Sequence, residues 1–311
     1  MSKIKWYAKS ALNAELMKIK MDLGADAIEI QLLDELVNGR VGNYHNVGEV
    51  YDLEACKEIP VSVVHAPILG NYGLADVNIE DIVDSEDFKL FDAVCYIAEY
   101  FGRHQNHEVL VVLHSELDRF KMRGIDDTWK KVINGVGCML FKYPHIRICL
   151  ENITPIRAAK FPIHLSNNFK FDNVEMVKEL RKQLNTDRVG TVLDTCHADI
   201  SKIFMNAIYD IICDREQENY DLEEYFRENK EVIELIHLSK TVGYGYGKGK
   251  HGQPFSLACA GDEDKVRERI DLYNKFGYKC PITLEVAETN YQISDGFTNS
   301  LTVCKKVESS L

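Results

Sequence analysis

Apolar positions along this chain gather in short runs, and those runs finish in polar residues of a restricted kind. Six of them read VSVVHAP, VLVVLHS, IRICLEN, VGTVLDTCH, IELIHLS and PITLEV. They close on His65, His114, Glu151, Asp194 with His197, His237 and Glu285. Two earlier runs, IKWYA at 4–8 and DAIEIQLL at 26–33, bring the set to eight. Near-continuous apolar runs of this length describe strands buried on both faces. An ionisable group that ends such a strand belongs at the strand's exposed end, because burying it unpaired is costly.

Segments with helical spacing separate the runs. Residues 10–23 place Leu12, Leu16, Ile19 and Leu23 on one face, with Gly24 as the stop. Residues 85–101 open on Ser85, Glu86 and Asp87 and carry Phe88, Phe91, Val94, Cys95 and Ala98 on one stripe. The same reasoning predicts helices near 126–142, 172–185, 220–231, 263–276 and 296–307. Strand alternating with helix calls for a parallel sheet with right-handed crossovers, and eight such units can close. The pattern therefore predicts a single α/β domain over residues 1–311, a (β/α)8 TIM barrel with its chemistry at the strand C-termini. Two long connections, 152–171 and 239–261, follow ligand-bearing strands and are predicted to lie over that face.

Composition narrows the function. With 45% hydrophobic and 28% charged residues, the 311-residue chain is predicted to be soluble and globular. It has no stretch of about 18 apolar residues of the kind a membrane span needs. MSKIKWYAKS lacks the apolar centre of a secretory signal. Nine cysteines without a CxxC pair predict reduced thiols and a cytoplasmic location. The net charge of −12 disfavours nucleic acid as a partner, since that affinity comes largely from neutralising phosphates.

The strand-end residues carry the candidate chemistry. Glu151, Asp194, His237 and Glu285 form a mixed carboxylate and imidazole set suited to manganese, zinc, cobalt or magnesium. If strand alternation continues through DTCH, Cys196 points away from Asp194 and His197 and is a packing residue. Asn152 is expected to orient Glu151 or cap a turn. Arg157 reads as either a bidentate anion partner or a surface residue, and Lys240, just after His237, as a contact to the same anion. GYGYGKGKHG, with Tyr244, Tyr246, Lys248 and Lys250, is either a lid over the site or a solvated loop. It lacks the Ser/Thr of a P-loop, so no nucleotide cofactor is expected.

The segments HAPILGNYGLA, LENITP, LDTCH and TLEV resemble the xylose isomerase-like barrel superfamily, which includes sugar isomerases and epimerases as well as endonuclease IV. In the epimerase branch the resemblance implies one divalent ion held by Glu151, Asp194, His237 and Glu285, stabilising an enediolate. Glu151 and Glu285 would be the acid/base pair, with His197 on a substrate hydroxyl. In the endonuclease IV branch it implies zinc ions on His65, His114, Glu151, Asp194, His197, His237, His251 and Glu285. Gly249 stands where that branch has a further aspartate, which leaves a third site with only His197 and His251. A two-metal centre that includes His65 and His114 remains compatible with either branch. The reading that follows is a metal-dependent isomerase or epimerase of a small sugar or sugar phosphate, with His197, His251, Arg157 and Lys240 around the substrate. The alternative is a zinc-dependent phosphodiesterase of the abasic-site endonuclease type. Assembly into a homo-oligomer is left open.

Overall fold

The computed structural model describes residues 3–33, 46–67, 85–114, 126–153, 156–157, 164–165, 172–212, 221–242 and 251–311. Eight parallel strands close into a barrel: β1 (Trp6–Ser10), β2 (Ala27–Gln31), β3 (Val61–His65), β4 (Val109–His114), β5 (Ile146–Glu151), β8 (Val189–Asp194), β9 (Ile233–Leu238) and β10 (Ile282–Leu284). Closure comes from β1 pairing with both β2 and β10. A separate two-stranded ribbon, β6 (Ile156–Arg157) against β7 (His164–Leu165), occupies part of the connection after β5.

Helices surround the barrel: α1 (Ala14–Asp22), the short α2 (Val47–Val50) and α3 (Leu53–Cys56), α4 (Ser85–Gln105), α5 (Asp126–Lys142), α6 (Asp172–Leu184), α7 (Thr195–Ile212), α8 (Leu222–Asn229), α9 (Asp262–Lys275) and α10 (Asp295–Glu308). No helix among the described residues is long and apolar enough to cross a membrane. The outward faces of the strands and the inward faces of the helices form one large core, with Trp6, Phe91, Phe101, Phe226 and Phe297 among its buried members.

Two sequence expectations require correction. Helix α1 buries Met17 and Lys20 rather than the Leu12/Leu16/Ile19/Leu23 stripe, and Leu23 is exposed. Lys20 can be buried because its ammonium pairs with Glu288, whose carboxylate also accepts the Gly296 and Phe297 N–H groups at the start of α10. Helix α7 is absent from the sequence expectation. Strand alternation extended through DTCH, whereas the strand stops at Asp194 and the helix begins at Thr195. Asp194 Oδ1 accepts the His197 N–H at 2.8 Å, which is an N-cap hydrogen bond.

The barrel interior fixes where the polar residues point. Tyr7, Ala27, Val63, Val112, Cys149, Val192 and Leu235 form a separate buried cluster inside the barrel. Alternation places the residue two positions later on the same face. Those residues are Lys9, Glu29, His65, His114, Glu151, Asp194 and His237, and Glu285 follows the buried Thr283 in the same way. Seven strands thus contribute an apolar residue to a floor and an ionisable one above it, and β10 contributes Thr283 with Glu285 above. Strand register sets their heights: Lys9 is level with Glu29, His114 with Glu151, and Asp194 with His237.

Candidate metal centre

Glu151 lies at the middle of the ionisable layer. Its Oε2 is 3.0 Å from His65 Nε2 and 3.7 Å from His114 Nε2. Its Oε1 is 3.2 Å from His197 Nδ1 and 3.5 Å from His237 Nδ1. His237 Nδ1 also lies 2.7 Å from Glu285 Oε2. Among the described residues four sets have candidate ligand atoms all within 4.8 Å of one another: His65, His114 and Glu151; Glu151, Asp194, His237 and Glu285; Glu29, His65 and His237; and Asp194, Cys196 and His251, of which the first two share Glu151. Ligands on opposite sides of an ion held at about 2.1 Å stand about 4 Å apart, so the first two sets have the dimensions of a coordination shell.

The hydrogen bonding supports a cation in both places. His65 Nδ1 donates to the Ala66 carbonyl at 2.8 Å, so the lone pair of Nε2 faces the Glu151 carboxylate. His237 Nε2 donates to Glu29 Oε2 at 3.0 Å, so its Nδ1 lone pair faces Glu285 and Glu151. Acceptors opposed in this way repel unless a proton or a metal ion sits between them. Asp194 Oδ2, His237 Nδ1 and Glu285 Oε2 are buried and make no hydrogen bond. Three members of the four-residue set therefore each offer one unsatisfied atom. Buried polar atoms are rarely left so in native proteins. The donor set fits a divalent ion.

Protons fill the same role when metal is absent. Burial opposes charge on His237, but Glu29, Glu151 and Glu285 outweigh it and lift the imidazole well above its usual value. Burial likewise opposes charge on His197, yet Asp194 and Glu151 raise it to about 9. On the acidic side burial is again the opposing influence. His237, His197 and His65 hold Glu151 well below the usual carboxylate range, and Lys9 and His237 do the same for Glu285.

Neighbouring side chains orient this set. Asn152 does not act on Glu151. It clasps the Asp194 backbone, donating to the carbonyl at 3.0 Å and accepting the N–H at 2.7 Å. His197 Nδ1 donates to the Asn152 carbonyl at 2.8 Å, and its Nε2 lies 2.8 Å from His251 Nε2. Lys240 is not brought to the site: its ammonium lies 2.6 Å from Asp262 Oδ2, a carboxylate at the N-terminus of α9. The side chain of Arg157 and all of 243–250, including Tyr244, Tyr246, Lys248, Gly249 and Lys250, lie outside the described residues.

Three residues of the site escape the sequence reading. Cys196 does not point away, because α7 begins before it, and its sulfur joins Asp194 and His251 in the last of the four sets. Burial pushes this thiol's pKa up, so it rests protonated. Lys9 and Glu29 occupy the first two strands. Lys9 Nζ lies 2.6 Å from Glu285 Oε1 and 3.4 Å from Glu29 Oε1. Burial opposes the Glu29 charge, but His237 and Lys9 hold its pKa down at about 2. The signal was present, since Lys9 and Glu29 alternate in phase with Tyr7 and Ala27. The predicted first strand, however, ends one residue before Lys9, and Glu29 lies inside its run rather than at the end.

Comparison with solved structures places this architecture. Endonuclease IV from Thermus thermophilus superposes with a TM-score of 0.57 at 16% identity, covering 99% of this chain and 100% of that one. The 3-keto-D-glucoside 4-epimerase of E. coli gives 0.55 at 15%, covering 98% and 100%. D-psicose 3-epimerase from Clostridium cellulolyticum gives 0.54 at 13%, covering 98% and 99%. The likeness is one of fold, a closed (β/α)8 barrel spanning nearly the whole of each chain. No protein-family model matches the chain, and no curated protein matches it by sequence. At these identities the likeness speaks to the fold, and the chemistry rests on the site.

Proposed function

We propose that this chain is a divalent-metal-dependent enzyme that isomerises or epimerises a small sugar or sugar phosphate at a carbon next to a carbonyl. The observation that carries the proposal is the convergence of Glu151 and Glu285 on the space faced by the unsatisfied atoms of Asp194, His237 and Glu285 itself. A divalent ion bound by these four residues would supply Lewis-acid polarisation of the carbonyl. The two carboxylates come from separate parts of the barrel wall, the end of β5 and the residue after β10, with β8 and β9 between them. Both are held ionised, so either can accept the proton from carbon, while the electron pair stays with the carbonyl unit. The opposite glutamate, once protonated by solvent, would deliver a proton to the same carbon from the other side and so epimerise it, while the first glutamate passes its proton to solvent. Return of the abstracted proton to the neighbouring carbon, with a hydroxyl proton moving between the two oxygens, would isomerise the sugar. The substrate-hydroxyl contact is assigned to His197, a reading supported by the anchoring of Nδ1 on the Asn152 carbonyl, which leaves Nε2, now 2.8 Å from His251 Nε2, as the contacting atom.

Accessibility and charge favour a small substrate over a nucleic acid. Glu151, Asp194, His237 and His65 are fully buried, and the more open members are Glu285 at 13% and His251 at 20% side-chain exposure. The net charge of −12 points the same way.

One observation favours a second reading. The His65, His114 and Glu151 set would give a second ion sharing Glu151, an arrangement suited to phosphodiester hydrolysis. Elemental analysis of the purified chain, with His65→Ala and His114→Ala beside it, separates the two. The isomerase reading expects substrate proton exchange to survive both substitutions. Cleavage of an abasic-site oligonucleotide by the wild type, lost in each variant together with one zinc equivalent, would overturn it in favour of hydrolysis.

A further inference from the structure

Lys9 and Glu29 close a ring with two of the proposed metal ligands. Glu285 Oε1 meets Lys9 Nζ at 2.6 Å, and Lys9 Nζ meets Glu29 Oε1 at 3.4 Å. Glu29 Oε2 accepts from His237 Nε2 at 3.0 Å, and His237 Nδ1 returns to Glu285 Oε2 at 2.7 Å. Within the ring one atom of each ligand is held by a residue outside the proposed ligand set, Glu285 Oε1 by Lys9 and His237 Nε2 by Glu29. Lys9 has only protons to offer, so it fixes which oxygen of Glu285 faces away from the site. Glu29 can only accept, so it fixes His237 as the tautomer with hydrogen on Nε2. The other two atoms, Glu285 Oε2 and His237 Nδ1, face each other at 2.7 Å, the one contact of the ring that a bound ion would replace; like Lys9 Nζ and Glu29 Oε1 they are buried and make no hydrogen bond of good geometry.

We propose that Lys9 and Glu29 are positioning residues, a clamp contributed by β1 and β2 that presents one oxygen of Glu285 and one nitrogen of His237 to the divalent ion. This inference rests on the metal-centre reading above but not on the identity of the substrate. The two halves of the clamp act with opposite sign on ion binding. Glu29 adds negative charge and orients a ligand, so it strengthens binding. Lys9 puts a fixed positive charge beside the ion, so it weakens binding while holding Glu285 in one orientation for proton transfer.

The test is chelator competition for manganese and for zinc, which needs no substrate, with substrate proton exchange measured alongside. Glu29→Ala should weaken ion affinity by about 10- to 100-fold, the usual effect of removing a partner behind a metal-bound histidine. Glu29→Gln should restore most of that loss, because its amide oxygen can still accept from His237. Lys9→Met should bind the ion at least as tightly as wild type yet turn over more slowly, a split that general loosening of the fold would not produce. Should Lys9→Met fail to fold, Lys9→Met combined with Glu29→Gln keeps the local charge balance and should bind the ion near wild-type strength with reduced turnover. Wild-type ion affinity in Glu29→Ala, or a parallel loss of affinity in Lys9→Met, overturns the clamp alone. A wild-type chain that binds neither ion overturns the metal centre and the clamp together.

Discussion

Replacing Glu285 with glutamine changes one atom, and the surroundings dictate which way the new amide faces. Lys9 Nζ lies 2.6 Å from Oε1 and can only donate, so the glutamine oxygen must take that position. The NH2 group is then forced into the place of Oε2, 2.7 Å from His237 Nδ1, where it can neither bind a cation nor accept a proton. Loss of a general acid/base typically costs about 10²- to 10⁴-fold in rate. That is about 2.7–5.4 kcal/mol of barrier. Substrate affinity should change far less, because the hydroxyl contact assigned to His197 is untouched. The assay is incorporation of solvent deuterium into a panel of ketoses, aldoses and their phosphates, read by NMR, with bound metal counted in the same samples. A Glu285→Gln protein that holds its ion and exchanges the substrate hydrogen at the wild-type rate would refute the role of Glu285.

Further outcomes follow from burial and charge. In the metal-free protein His197 titrates at about 9 against a reference of 6.5, and His237 is raised as well. Their stabilisation is fully present below about 6.5 and is lost as pH climbs through about 9, so Tm in chelator should fall across that window. With saturating divalent ion the fall should shrink or reverse, because protons must leave His237 before it can bind metal. A flat Tm from pH 6.5 to 9 in chelator would contradict the charge state assigned to these histidines. At the other end of the barrel, a Cβ on Gly102 of α4 would lie 2.7 Å from His145 Cβ, 2.8 Å from the His145 carbonyl oxygen and 2.9 Å from that of His107. Backbone atoms cannot swing aside as side chains do, so Gly102→Ala should destabilise by about 1–3 kcal/mol in a urea melt without changing metal content.

The eight strands, their parallel order and the gathering of ionisable residues at their ends were legible because each depends on local periodicity. The runs that close on His65, His114, Glu151, Asp194 and His237 end on those residues, or within one of them, in the structure. Helix α7 was missed because an apolar strand runs into it without a break; its local signals were Asp194 as an N-cap and the helical spacing of Ile200, Ile203, Phe204, Ala207, Ile208 and Ile211. The same run-on misplaced Cys196, whose direction follows helical and not strand geometry. The buried side of α1 was misjudged because Lys20 is paired with Glu288, a partner far away in the chain.

Alternation by itself determined that each strand would turn a polar residue to the same side as its inner apolar one, since the two-residue repeat is a property of the backbone. Partnership was decided only by closure. Lys9 meets Glu285 because β1 and β10, the first and last strands, lie side by side once the sheet curls shut. Glu29 reaches His237 across the interior. A repeat along the chain reports which face a side chain occupies. Which distant carboxylate, imidazole or ammonium it meets there depends on strand register and barrel diameter, which no local pattern encodes.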